Sequence, residues 1–192
     1  FSYLSLTAVD RIFEGNGLRI FDVEELNTHG GSLRVFAQRT DSGNQPSGLS
    51  VAAILKKESA AGLDKIEGYG SFQKRANEIK NSLLEFLLQA KREGKLVAAY
   101  GAAAKGNTLL NYAEIRPDLV EFVVDRNPAK IGKFMPGSRI PIVEEDHLRS
   151  QRPDYVLILP WNLREELITQ LRYIQEWRGQ LVTSVPHLVF IK

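Results

Sequence analysis

Leu96-Val97-Ala98-Ala99-Tyr100-Gly101-Ala102-Ala103-Ala104-Lys105-Gly106-Asn107 decides the fold. A short apolar run stops at Gly101, and Gly106 follows before a helix-compatible segment. A buried parallel strand turns in this way into a helix whose amino end can face an anion. The next apolar run, Leu119-Val120-Glu121-Phe122-Val123-Val124, closes on Asp125. A nucleotide-binding Rossmann unit has this layout.

Outward from this stretch, strands and helices alternate. Strands are expected near 96–100, 119–124, 140–143, 155–159 and 180–184, with the clearest helices at 107–114 and 163–176. In the latter, Asn162 precedes Leu163-Arg164-Glu165 as a capping-box-like start. Before the first of these strands, Phe72, Ala76, Ile79, Leu83, Phe86, Leu87 and Ala90 form one helical stripe, and Gly94 ends it. The pattern predicts an α/β fold: a Rossmann-like parallel sheet with helices on both faces. The carboxyl ends of such strands hold ligands. That rule singles out Gly101–Asn107, Asp125–Asn127 and Pro160-Trp161-Asn162.

The amino-terminal residues read differently. Leu6, Val9 and Phe13 have helical spacing, and Gly15-Asn16-Gly17 stops the helix. Two partly alternating runs, Leu18–Val23 and Leu33–Ala37, flank the turn Thr28-His29-Gly30-Gly31. A helix and a hairpin cannot bury a core alone. Residues 1–40 are therefore expected to be the tail of another domain, 41–70 a linker, and 71–192 the Rossmann-like domain with its leading long helix.

Composition excludes several classes. A net charge of +2 and scattered Lys and Arg give no footprint for nucleic acid. No apolar run approaches the ~20 residues of a membrane span. Without Cys there is neither a disulfide nor a thiolate metal site. The expectation is a cytoplasmic protein with no membrane, nucleic-acid or metal partner. Phe opens the chain and its one Met is Met135, which reads as a piece of a longer polypeptide.

Gly101-Ala102-Ala103-Ala104-Lys105-Gly106 is G-x-A-x-x-G. Ala103 replaces the glycine that lets backbone approach a pyrophosphate, which weakens the case for NAD. A P-loop needs Lys where Asn107 stands, so that motif is rejected. An anion site with Lys105 nearby remains, against a tight turn that binds nothing. Asp125 has two open roles, a ribose acceptor or a cap for the turn at Asn127-Pro128. Arg126 and Lys130 beside it favour a phosphate. Trp161 can stack on a base or pack at the sheet margin. Asn162 can cap a helix or touch a ligand. His29 and its neighbours Gly30 and Ser32 form a polar, sharply bent loop of the kind that contacts ligands.

Several blocks resemble sugar-nucleotide C-methyltransferases that make branched deoxysugars. They are Phe1–Leu6, Asp22–Arg34, Tyr100–Tyr112, Val123–Pro128 and Tyr155–Asn162, in order along nearly the whole chain. The resemblance implies the end of a class I methyltransferase domain, supplying a helix and β-hairpin, followed by the family's carboxyl-terminal Rossmann-like domain. S-adenosylmethionine would be held mainly by an upstream domain, and the sugar nucleotide between the last two domains. The family's acid/base segment would end just before Phe1, which leaves Tyr3 as the catalytic-rim residue and the fragment alone inactive. The residues implied to touch the sugar nucleotide are His29, Gly30, Ser32, Gly101, Ala103, Lys105, Gly106, Asn107, Asp125, Arg126, Trp161 and Asn162. The competing classes are an NAD(P)-dependent oxidoreductase fragment and a non-catalytic Rossmann-type binding module.

Overall fold

The computed structural model describes residues 3–191, except for the side chain of His29. The chain divides into two units, residues 1–73 and 74–192.

In the first unit, α1 (Leu6–Glu14) begins where the Ser5 hydroxyl accepts from the Ala8 amide at 3.2 Å. Gly17, with φ +70, turns the chain into β1 (Leu18–Leu26), which pairs antiparallel with β2 (Ser32–Arg39). A 3₁₀ turn at Thr28–Gly30 joins them. The weakly patterned stretch after residue 48 forms α2 (Leu49–Ala60). Leu6, Ile20, Val23 and Val51 make this unit's small core. Glu58 of α2 is buried, and its carboxylate accepts from the Leu6 and Thr7 amides at 2.7 Å each and from the Thr7 hydroxyl at 2.6 Å. A residue distant in sequence thus satisfies donors that open α1.

The second unit opens with α3 (Phe72–Arg92), whose Leu83, Phe86, Leu87 and Ala90 are buried as the stripe predicts. Gly94, at φ +67, releases the chain into the sheet. Five parallel strands follow: β3 (Val97–Tyr100), β4 (Val123–Val124), β5 (Ile142–Val143), β6 (Tyr155–Ile158) and β7 (Gln180–Thr183). A sixth, β8 (Val189–Ile191), lies antiparallel on β7. The order β5-β4-β3-β6-β7-β8 is the Rossmann order 3-2-1-4-5-6.

Period-two alternation sorts the strand residues between two cores. Val97, Ala99, Leu157 and Leu159 share one with Leu83 and Leu87 of α3 and with Leu109 and Leu110 of α4 (Ala104–Tyr112). Ala98, Tyr100, Val156 and Ile158 share the other with Leu148 of α5 (Glu145–Gln151) and Leu167 of α6 (Arg164–Gln170). Each fully buried Leu contributes about 1.5–3 kcal/mol. An exposed ion pair such as Lys91–Asp118 contributes at most ~1 kcal/mol, so the two apolar layers dominate stability.

Several boundaries depart from the sequence expectation. The strand expected over 119–124 is regular only at Val123–Val124: the Glu121 amide still donates to the Val97 carbonyl at 3.1 Å, but Val120 turns back to donate to the Arg116 carbonyl. The helix expected at 107–114 starts at Ala104. The one expected at 163–176 relaxes after α6 into a 3₁₀ stretch, Arg172–Trp177. Asn162 does not cap α6: it lies in a 3₁₀ turn, Trp161–Leu163, and Leu163 occupies the capping position without a side-chain bond. Among the described residues, no helix is long and apolar enough to cross a membrane.

Candidate functional site

The β3–α4 turn sits at the carboxyl edge of the central strand. Gly101 has φ +86, and a Cβ there would lie 2.6 Å from Cδ of Pro160, just beyond β6. A Cβ on Gly106 would lie 2.5 Å from Leu159 Cβ. Both glycines are therefore required by close approach: the first of the turn to Pro160, the second of α4 to the sheet. Ala103 holds the N-cap position in extended backbone, with no side-chain oxygen to offer. The first-turn amides of α4 consequently have no side-chain cap, which is the electrostatic setting for an anion.

Asp125 fixes this turn from the neighbouring strand. Its carboxylate accepts from the Ala102 amide at 2.7 Å and the Asn127 amide at 2.8 Å. Lys130 Nζ donates to the same carboxylate at 3.1 Å and to the Ala102 carbonyl at 2.9 Å. Burial opposes ionisation of Asp125. The bonds from Asn127, Lys130 and Ala102 outweigh it and hold the carboxyl below its ordinary range. Both oxygens serve the protein, so Asp125 is placed as a turn cap and a tie between two loops.

A cleft of about 560 Å³ opens beside the turn, lined by Ala103, Asn107, Lys130, Lys133, Phe134 and Pro136 among others. Its far wall folds back on itself: the Gly132 amide donates to the Ile142 carbonyl at 2.9 Å, and the Met135 amide to the Ile140 carbonyl at 2.8 Å. Asn111 braces that wall by donating to the Pro136 carbonyl at 2.9 Å. Lys133 is exposed and, among the described residues, has no carboxylate partner. The Asn107 Oδ1 is buried without a hydrogen-bond donor. Lysines and a helix amino end without a side-chain cap favour an anionic ligand. Lys133 and Phe134 escape sequence reasoning because only the fold-back brings them to the turn. An aromatic beside a lysine between Gly132 and Pro136-Gly137 is the one local signal.

The remaining expected residues are distributed. Lys105 lies in the first turn of α4, half-buried, and does not line this cleft. Arg126 turns away to Glu145 of α5, 2.6 Å from its Oε2. Glu145 also accepts from Tyr173 at 3.0 Å and Tyr100 at 3.2 Å. Burial raises the Glu145 carboxyl, but the bonds from Arg126 and the tyrosines bring it below its usual range. Trp161 is half-buried and packs on the α3–α4 side of the sheet. Gly30 and Ser32 belong to the first unit, where the Ser32 hydroxyl donates to the Thr28 carbonyl at 3.0 Å. Ser32 also lines a cleft there with Leu4 and Asn27. Tyr3 is 88% exposed in that unit. The His29 side chain, like Phe1 and Ser2, lies outside the described residues. Among the described residues, no group of three or more His, Asp or Glu can hold a metal ion.

The strand order, the glycine turn and the lysine-lined cleft define a Rossmann-type α/β domain. Residues 27–186 match the C-methyltransferase C-terminal domain, and the chain belongs to that family. It is 34% identical over 186 residues to the C-methyltransferase NovU of Streptomyces niveus, an alignment covering 97% of this chain. The chain spans 44% of that relative's length.

Proposed function

We propose that this chain is the substrate-holding part of an S-adenosylmethionine-dependent C-methyltransferase acting on a nucleotide-linked keto-deoxysugar. Its task is to bind and orient the sugar nucleotide. The carrying observation is the cleft at the carboxyl edge of β3–β5, with α4's uncapped first turn, Lys130 and Lys133 on its walls. Membership of the family and the likeness to a C-methyltransferase support the reaction class.

The methyl donor is a sulfonium cation. The lysines here suit an anion instead and do not fit it, so this reading places S-adenosylmethionine on another part of a longer protein. The donor supplies an electrophilic methyl group. What this chain supplies is orientation, which converts an encounter between substrates into a reaction within one complex. The purified chain, given donor and a keto-sugar nucleotide, should transfer no methyl group.

Calorimetric titration with thymidine diphosphate and with NADH tests the proposal. Binding of the first but not the second is the expected result. The sheet order alone also suits a dinucleotide, but the methyl of Ala103 and the Pro160 ring against Gly101 crowd the approach such a cofactor needs. Binding of NADH alone would establish the oxidoreductase reading. Lys133→Ala should weaken thymidine diphosphate binding roughly tenfold, the value of one charged hydrogen bond. Lys105, in the first turn of α4 but off the cleft, should matter less.

A further inference from the structure

A second cleft, of about 560 Å³, lies along α3 toward the amino edge of the parallel strands, where Tyr155 opens β6. It shares no residue with the cleft beside the β3–α4 turn. Glu85, Phe86, Gln89 and Glu93 recur at three and four residues, so α3 turns one face into it over about 12 Å. Phe190 of β8 lines it from the other side. Three rings meet there. Phe86 and Tyr155 are 5.1 Å apart at 87°, Phe86 and Phe190 5.3 Å apart at 82°, and Tyr155 and Phe190 6.0 Å apart at 66°. Edge-to-face packing of this kind fixes the rings on one another. Phe86 is buried, but Phe190 is 44% exposed and keeps ring surface open to the cleft. Glu85 and Glu93 stand exposed on the rim, and Gln89 donates to Glu93 at 2.6 Å. Among the described residues, no basic side chain pairs with either carboxylate. Lys91 and Lys95, which flank Glu93 in sequence, bind Asp118 at 2.7 Å and Asp154 at 2.8 Å instead. Two carboxylates alone would be a solvated helix face. The rings add a surface whose quadrupole attracts cations and whose carbon welcomes alkyl groups.

We propose that this cleft binds a small molecule carrying an alkylammonium group, with the cation against the Phe190 ring and between the Glu85 and Glu93 carboxylates. The site is separate from the one given to the nucleotide and does not depend on it. Its volume falls within the roughly 300–1,000 Å³ of small-molecule sites. The carboxylates select the sign of the charge. The aromatic floor selects an alkylated cation over a hydrated metal ion, because only the former gains from leaving water.

The test is an amide NMR titration of the chain with choline and with its uncharged isostere, in which carbon replaces the nitrogen. Choline should bind at least about tenfold more tightly than the isostere, with shifts centred on residues 85–93 and 187–190. Phe190→Leu, which keeps apolar bulk but loses the π face, should weaken choline about five- to tenfold. Phe190→Trp should bind choline at least as well as wild type. Glu85→Gln should weaken choline a few-fold and leave the isostere unchanged. Amide shifts of the variants away from the cleft check that each is folded. Equal binding of choline and isostere would leave only an apolar hollow and overturn the proposal. Choline affinity unaltered in Phe190→Leu would take the cation off the ring and overturn it too. So would the absence of choline binding by wild type at up to about 50 mM.

Discussion

At the scale of single residues, the glycines of the β3–α4 turn show how close packing shapes one motif. Gly106→Ala should destabilise the second unit by about 1–3 kcal/mol. Helix propensity alone would favour Ala by up to ~1 kcal/mol, so the sign of the change decides whether contact with Leu159 dominates. Thermal unfolding of the variant measures it, and a raised midpoint would mean that α4 sits farther from the sheet. Asp125 makes a second case. Its carboxyl is held below the ordinary range, so its contribution is fully present above the unfolded value of about 4 and is lost as pH falls through the lower folded value. Asp125→Asn should cost about 1–3 kcal/mol at neutral pH, and the gap from wild type should shrink below about pH 4. Denaturant titrations at pH 7 and pH 3 read the difference. The sequence exposed the two glycines and Asp125 because their spacing is local. It hid Lys133 and Phe134, whose place beside the turn depends on hydrogen bonds between residues 132–135 and 140–142.

Elements were legible where burial is periodic and obscure where partners are distant. The α3 stripe and the five parallel strands stand out because each buries a repeating set of side chains. β8 is three residues long and follows a cis Val185–Pro186 bond, and its alternation is too short to read. α2 showed only as a weakly patterned stretch, a short helix plus a connector, for another reason: besides Val51, its buried residue is Glu58, a carboxylate. The amides of Leu6 and Thr7 and the Thr7 hydroxyl explain it. Glu58→Gln would turn an amide group toward those donors and leave at least one unsatisfied. A loss of roughly 2 kcal/mol is expected, with faster amide exchange confined to the first turn of α1. Unchanged exchange there would show that Ser5 alone caps the helix.

For the whole molecule, the two units differ in what they can sustain. The second carries both faces of a six-stranded sheet, whereas the first relies on a hairpin, two helices and, among the described residues, four buried apolar side chains. Leu4 and Leu49 of the first unit are 55% and 89% exposed. We expect residues 74–192, produced alone, to unfold cooperatively and to show the circular dichroism of an α/β protein. Residues 1–73 alone should lack a cooperative transition. A cooperative melt of the shorter piece would mean that its small core suffices. The parallel sheet was open to inference from strand–helix alternation, and the division near residue 73 from the start of the α3 stripe, which puts the second domain at 71–192.

The contacts around Glu145 carry a spectroscopic consequence. Burial first, and then the nearby carboxylate, push Tyr100 up to about 12, and the same causes push Tyr173 upward. Phenolate absorbs in the near ultraviolet where phenol does not. These two should stay dark as an alkaline titration passes the ordinary phenol range and brighten only above it, or earlier if their surroundings come apart. The protein therefore contains its own optical gauge of whether the contacts around Glu145 are intact, readable without a label.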